Sequence, residues 1–460
     1  MFKRKLVVLS TVFILGGCVS LEPDYQRPDL PTPQLFSLSG NTLVNQIGSP
    51  TSGWSVFFTD PQLKKIISTA LQSNRDLQTA ILKVEEAAEQ YNVTKADRYP
   101  QINGSTGISY SGGLINETST THQYNVGINV SYELDFFGKL KNMSEADRQY
   151  FMASQQAQRA AHIVVVSQVA QNYLNNLLIR QQLDISKRSL QNYQQSFQFI
   201  EQRNGVGQST LLDLEQARGL VETTKSDIAK RQGELAQSSS ALQLVVGQYN
   251  LLPLSPLPVD KYELDVKLPE NLSSNILLQR PDIAEAEHQL IAANANIGVA
   301  RAAFFPSISL TGDLTSSNTD LSRLFNASSG VWNFIPKIEL PIFNGGKNKS
   351  NLSLAEIRKN MSIVNYEQKI QTAFKEVSDA LSLKNSLQQQ FIAQKRYLNS
   401  LRITSQRANL LYINGAVSFL DVLDAERSLF SAQQDLAELK YTLQLNEINL
   451  FVALGGGWIE

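Results

Sequence analysis

Between Tyr124 and Leu134 the chain alternates without a break: Tyr124, Val126, Ile128, Val130, Tyr132 and Leu134 on one side, Asn125, Gly127, Asn129, Ser131 and Glu133 on the other. A period of two places each set on its own face of a β-strand. Ile102, Gly104, Thr106, Ile108 and Tyr110 alternate in the same way with Asn103, Ser105, Gly107, Ser109 and Ser111. The two stretches therefore form a hairpin over 101–135. A second hairpin over 306–341 is carried by Ile308 and Leu310, then Trp332, Phe334, Ile338 and Leu340. About ten residues per strand is enough to cross a bilayer when tilted. The same alternation also suits a soluble antiparallel sheet with one wet face.

After each hairpin the period changes to that of a helix. Patterns over roughly 140–203 and 346–413 are interrupted only at Asn204-Gly205 and Asn414-Gly415. At 1.5 Å per residue each would run about 95 Å, more than a compact domain uses. Ile163, Val166, Ala170, Tyr173 and Leu177 follow a 3-4 rhythm, as do Leu436, Leu439, Leu443, Asn446 and Leu450. Such seams suit coiled-coil packing between antiparallel helices. Shorter helical patterns over 74–98 and 280–303 end at Pro100 and Pro306.

These elements come in two copies. Asn74-Arg75-Asp76 recurs as Arg280-Pro281-Asp282, Tyr99-Pro100-Gln101-Ile102 as Phe305-Pro306-Ser307-Ile308, and Glu133-Leu134 as Glu339-Leu340, each 206 residues on. Later matches, Asn204-Gly205 with Asn414-Gly415 and Leu212-Asp213 with Leu420-Asp421, lie at offsets of 208 to 210. The expected organisation is a signal peptide (1–17), an N-terminal arm (18–72), a first repeat (73–252), a proline-rich linker (253–275) and a second repeat (276–460).

Lys3, Arg4 and Lys5 precede the apolar run Leu6–Leu15, and the single cysteine, Cys18, follows Gly16-Gly17. That is a secretory signal peptide, too short to span a bilayer. Leu15-Gly16-Gly17-Cys18 resembles the lipobox of bacterial lipoproteins, which makes Cys18 the expected lipidation site; a free cysteine beside an ordinary cleavage site is the alternative. Formal charge moves only from −1 to −4 once the leader is removed, too mild to point to nucleic acid. The mature chain has no apolar run of helix-spanning length, so any membrane crossing falls to strands.

Four strands cannot close a barrel, and an open edge in lipid leaves backbone groups unsatisfied. The chain must then oligomerise. Two copies give eight strands with a filled interior, whereas three give twelve and leave a lumen.

The residues resemble the outer-membrane factor (TolC-like) family of tripartite exporters, in its lipoprotein branch, over essentially the whole mature chain. The resemblance rests on the lipobox, Pro23-Asp24-Tyr25-Gln26-Arg27-Pro28, Gly53-Trp54, Leu277-Leu278-Gln279-Arg280-Pro281-Asp282, Ala302-Ala303-Phe304-Phe305-Pro306-Ser307 and Ala453-Leu454-Gly455-Gly456-Gly457-Trp458. Glu133-Leu134-Asp135-Phe136-Phe137-Gly138 and Val422-Leu423-Asp424-Ala425-Glu426-Arg427 are closest to its copper- and silver-exporting members. It implies a mainly α trimer with a twelve-stranded transmembrane β-barrel, continued by a long periplasmic α-helical barrel. An equatorial collar, including the arm and the linker, would girdle the helices. It implies an outer-membrane, lipid-anchored exit channel, with a periplasmic adaptor (membrane fusion) protein and an inner-membrane RND pump as partners. The substrates would be Cu(I) and Ag(I); multidrug export is the alternative, and a non-conducting surface lipoprotein or adhesin a second.

The turns at Asn204, Gly205 and Gly207 and at Asn414, Gly415 and Val417 would lie at one end, far from the strands, and the resemblance makes them the adaptor-contacting tips. Glycine there also reads simply as a helix stop in left-handed conformation. Tyr412, Asp421 and Asp424 match the family's constriction motif, and carboxylates in a ring would favour cations. Aspartate at a helix start is favoured by the dipole in any case. At Val417 the best-known member has an arginine, so an ion-pair latch is in doubt here.

His122, His162, His288, Met143, Met152 and Met361 are scattered, so no metal site or cofactor is expected. No phosphate loop, nucleophile elbow or metal-binding helix motif is present, so the chain is expected not to be an enzyme.

Overall fold

The computed structural model describes residues 20–36, 53–112, 120–250, 264, 266 and 272–457. The leader, Cys18, Trp458 and most of the 253–275 linker lie outside the described residues.

The chain runs α1 (Pro61–Ser73), α2 (Arg75–Ala96), β1 (Gln101–Ser111), β2 (Thr121–Leu134), α3 (Lys139–Gly205), α4 (Leu211–Val246), α5 (Pro281–Ala302), β3 (Ser307–Asn318), β4 (Gly330–Glu339), α6 (Lys347–Ile413) and α7 (Phe419–Ala453). The long helices fall within two residues of their sequence patterns, whereas β2 starts three residues before Tyr124 and β3 runs eight residues past Leu310. Helix α1 lies inside the stretch read as an arm. Its signals are local: Asp60 accepts from the Gln62 amide at 2.9 Å, Pro61 occupies the first turn, and Leu63, Ile66, Ile67 and Ala70 are buried on one face.

The chain divides into two compact units that cut across both repeats. One comprises Met1–Asp29, Leu82–Gln156 and Ala284–Gln368, the other Leu30–Ile81, Ala157–Ile283 and Lys369–Glu460.

The first unit holds one antiparallel sheet in the order β1-β2-β3-β4. Val130 faces Ile102, Leu134 faces Ile308 and Ile338 faces Ile308 from the other side. This register gathers the alternating apolar residues from Ile102 to Ile338 on one face of the sheet, Leu340 lying one residue past the end of β4. That face stays uncovered: Trp332 is 75% exposed and Ile338 69%. The opposite face carries Asn103, Ser105, Asn129, Ser131, Asp313 and Thr315, with Asn129 donating to the Asp313 carboxylate. Among the described residues, β1 and β4 have no partner on their outer edges.

The hairpin registers correct the repeat alignment. Ile102 and Ile308 are 206 residues apart, but their partners Val130 and Ile338 are 208 apart. The step from 206 to 208 therefore lies in the hairpin loops, and Glu133-Leu134 does not take the place of Glu339-Leu340. Beyond that point the offset stays at 208: left-handed Gly138 and Gly346 precede the two 67-residue helices, and left-handed Gly207 and Gly415 follow them. Gly207, not Gly205, corresponds to Gly415.

In the same unit Ser20–Arg27 lies along α5, antiparallel to it. Arg301 donates to the Leu21 carbonyl, Asn294 to the Pro23 carbonyl at 2.7 Å, and Arg27 makes a two-pronged pair with Glu287 at 2.7 and 2.9 Å. Gly298 makes room for this strap, since a Cβ there would meet Asn142 and the Glu22 backbone. At its near end, Ser20 donates to Asn142 at 3.0 Å, in the first turn of α3.

The second unit is built on the predicted seam of α3, where Ile163, Val166, Ala170, Tyr173 and Leu177 are all buried. Tyr173 donates to Asp60 at 2.6 Å and so ties the α1 cap to that seam. The seam predicted on α7 holds at Asn446 and Leu450, which are buried, but not before them: Leu436, Leu439 and Leu443 are half-buried, while Gln434, Ala437, Gln444 and Ile448 are buried. The polar members go inward because each finds a backbone partner, Gln434 the Gln182 carbonyl, Gln444 the Leu264 amide and Asn446 the Ala380 carbonyl. Glu447 accepts from Lys384 at 3.0 Å and from the Val266 amide at 2.8 Å. Two clasps have the same form: Asn74 donates to the Val245 carbonyl, and Arg280 to the Ala453 carbonyl, while also pairing with Asp282 and Glu376. No described helix is long and apolar enough to cross a membrane.

Candidate functional site

Both long helices end in the same device. After α3, Gly207 (φ 72°) donates its amide to the Asn204 carbonyl and Gln208 donates to that of Arg203. After α6, Gly415 (φ 74°) donates to Tyr412 and Ala416 to Leu411. Each is a Schellman turn, which satisfies the last helical carbonyls and requires the left-handed residue. Gly205 is the last residue of α3 and does not adopt a left-handed conformation. Asn204 closes its own turn by donating to the Ser209 carbonyl at 2.9 Å, whereas Asn414 donates back to Leu410.

The return helices start with matching capping boxes. Thr210 and Asp213 exchange side-chain and backbone hydrogen bonds before α4, and Ser418 and Asp421 do so before α7. Asp421 accepts both the Ser418 amide at 2.9 Å and its hydroxyl at 2.6 Å. Those bonds hold its carboxyl below the usual aspartate range. Asp424, one turn later, is exposed and has only a 4.0 Å approach to Arg427. The helix-start role of Asp421 is thus observed, and Asp424 carries the less engaged charge.

The two turns meet. Ile200, Leu214, Ala217, Phe419, Val422 and Leu423 form a small core, against which Tyr412 and Phe197 pack. Tyr412 lies 5.3 Å from Phe419, ring to ring. The Arg203 guanidinium covers the other side, 5.3 Å from the Tyr412 centroid and 5.7 Å from that of Phe199. Burial pushes the Tyr412 hydroxyl up, opposed by Arg203. Glu426 braces the next turn by accepting from Asn409 and Ser405. A cleft of about 490 Å³ opens beside this core, lined by Phe199, Arg402, Asn409, Tyr412 and Glu426 among others.

Tyr412, Asn204, Gly207, Asn414, Gly415, Val417, Asp421 and Asp424 therefore lie in one unit, on or beside two turns that share a small core. Arg203 was not singled out by sequence, and neither were the exposed apolar residues around the turns, Val206 at 71%, Leu212 at 66%, Leu211, Ile413 and Leu420. Their signal was present in Val206-Gly207-Gln208-Ser209-Thr210-Leu211-Leu212, where apolar residues flank a turn that buries none of them. Among the described residues no group of three or more His, Cys, Asp or Glu is placed to hold a metal ion.

The family described as outer membrane efflux protein matches the chain twice, over residues 66–248 and 272–456. The chain is 60% identical, over 462 residues and the full length of both proteins, to the probable outer membrane lipoprotein SilC of Salmonella typhimurium. It is 59% identical to the cation efflux system protein CusC of Escherichia coli K12, covering 98% of this chain and 99% of that one. A crystal structure of CusC, described in terms of folding and transmembrane channel formation, superposes with a TM-score of 0.89 over 95% of this chain and 100% of the other.

Proposed function

Because the chain belongs to the outer membrane efflux protein family, we propose that it is the outer-membrane exit channel of a tripartite cation efflux system, conducting passively and catalysing no reaction. The observation that carries this is the sheet: four strands, one face apolar and bare, the other polar, both edges open. An apolar face of this kind is stable against lipid, and open edges in lipid must pair. Three copies close twelve strands around an aqueous lumen lined by the polar face, with the helices continuing into the periplasm.

Cys18 is the acylated residue in this reading. Ser20, two residues on, is fixed beside Asn142 at the root of the strands, where an anchor in the inner leaflet would sit. The tips around Asn204, Gly205, Gly207, Asn414, Gly415 and Val417 dock a periplasmic adaptor through the exposed Val206, Leu211, Leu212 and Leu420. The adaptor links the channel to an inner-membrane RND pump. Asp421 and Asp424 line the mouth as carboxylate rings, with Arg203 and Tyr412 holding it shut. The cargo is Cu(I) and Ag(I), as the substrate of the whole system and not a resident cofactor.

The test is complementation. In a Gram-negative host lacking the outer-membrane component of its copper and silver exporter, the full-length chain restores tolerance to silver salts, and a Cys18→Ser variant restores less. Restored tolerance to organic drugs without any to silver would replace this reading with the multidrug one.

A further inference from the structure

The internal repeat specifies how one copy joins the next. Ile102 on β1 faces Val130 on β2, and Val130 faces Gly312 on β3. The first-repeat counterpart of Gly312, at the 206-residue offset of β1 and β3, is Thr106. Crossing one hairpin therefore displaces the ladder by four residues.

A closed ring of copies needs a second crossing, from β3 through β4 to β1 of the next copy, and the two hairpins are equivalent parts of one chain. The same displacement carries Ile308 to Ile338 and Ile338 to Thr106 of the next copy. We propose that β4 pairs with β1 of the next copy in this register, placing Ile338 opposite Thr106, Phe334 opposite Tyr110, and Leu340 opposite Gly104. The inference rests on the ring of copies proposed above.

Four features of the edges agree with it. The register keeps parity, so apolar residues of both edges stay on one face; an odd shift would turn one whole edge inside out. Phe334 and Tyr110 are 60% and 71% exposed in the single chain, and as directly opposed aromatics they form a favourable cross-strand pair. The polar face repeats an existing contact: Ser317 donates to Asn125 at 2.6 Å across β2 and β3, and their counterparts in the proposed register are Ser111 and Asn333. A Cβ at Gly104 would meet nothing, which leaves room for Leu340.

The alternative comes from aligning Glu133-Leu134 with Glu339-Leu340. It shifts the pairing by two residues and sets Phe334 opposite Ile108. Cysteine pairs in the full-length lipoprotein decide between them. Directly opposed residues are within disulfide reach, whereas a two-residue slip separates them by roughly 7–8 Å, beyond it. Phe334→Cys/Tyr110→Cys and Asn333→Cys/Ser111→Cys are neighbouring positions, so one of them is the closer, non-hydrogen-bonded pair. Air oxidation followed by non-reducing electrophoresis of heat-denatured protein should give a ladder up to covalent trimer for at least one of these. Phe334→Cys/Ile108→Cys should stay monomeric.

A ladder from the Ile108 pair alone would overturn the register while leaving the ring intact. A trimeric mass by light scattering with no covalent ladder from any of the three pairs would overturn pairing of these edges. A single-chain mass for the uncrosslinked protein would instead remove the ring, and with it the proposed channel. Each single-cysteine variant is checked for native trimer mass first, so misfolding is recognised separately.

Discussion

The Arg203 guanidinium rests on the Tyr412 ring, 5.3 Å from its centroid, and so fastens the end of one 67-residue helix to the end of the other. Val417, in the second turn, is uncharged, so no ion pair can form from that position. The cation–aromatic contact is what joins the two helix ends here. Such contacts are worth about 0.5–2 kcal/mol. Arg203→Ala and Tyr412→Ala should each loosen the turns, and in a double-mutant cycle the pair should couple by about 1 kcal/mol. A coupling near zero, measured on channel open probability, would remove the latch.

The two aspartates should separate by role. Ser418→Ala takes away a capping hydroxyl and is expected to cost the α7 start about 1 kcal/mol, read by local hydrogen exchange. Asp424→Asn should leave that exchange unchanged and lower cation selectivity. The Asp421 carboxyl, held below its ordinary value by Ser418, contributes stability that is present above the unfolded aspartate value of about 3.9 and is lost as pH falls through the lower folded value. The cap should therefore survive mild acid, with the exchange protection of the α7 start, relative to the intrinsic rate at each pH, flat from pH 7 to about 4.5.

Lys384 and Glu447 form an ion pair in which Glu447 is 6% exposed, and both also bond the backbone of Val266. Removing one member of such a pair strands the other charge, which typically costs about 3–5 kcal/mol. Lys384→Ala should destabilise the second unit by about 3 kcal/mol and make the linker near Val266 an early protease site. Wild-type proteolysis kinetics in the variant would contradict this.

His288 should give the first unit a pH response. The Gln149 amide nitrogen donates to Glu145, so its oxygen accepts from His288 Nδ1 at 2.7 Å. Burial, with Arg148 nearby and only Glu287 opposing, lowers the His288 value. The unfolded chain then takes up a proton first, so stability falls as pH drops below about 6.5 and levels off below the folded value. His288→Gln should flatten the midpoint of thermal unfolding between pH 7 and 5. An identical slope in both proteins would assign the response elsewhere.

The strands and long helices were legible because their periods are local and long, and the Tyr99-Pro100 and Phe305-Pro306 motifs set the first repeat offset correctly. The 208-residue offset of β2 and β4 was not legible, because it depends on hairpin register, which Glu133-Leu134 and Glu339-Leu340 mimic at 206. Helix α1 was passed over although Asp60-Pro61 announces it. Arg203 on Tyr412 and Arg27 on Glu287 join residues more than 200 positions apart, and nothing in the spacing of either partner marks the other. On α7, nothing in the spacing of Gln434 and Gln444 marks them as buried; they go inward because of the Gln182 carbonyl and Leu264 amide they meet.

The central claim is tested most directly by single-channel recording of the purified full-length lipoprotein in planar bilayers, wild type against Arg203→Ala/Tyr412→Ala. The account predicts discrete cation-selective steps, with the unlatched variant open roughly fivefold more often for each kcal/mol of latch removed. A variant that is trimeric by light scattering yet passes no current in any orientation would contradict it.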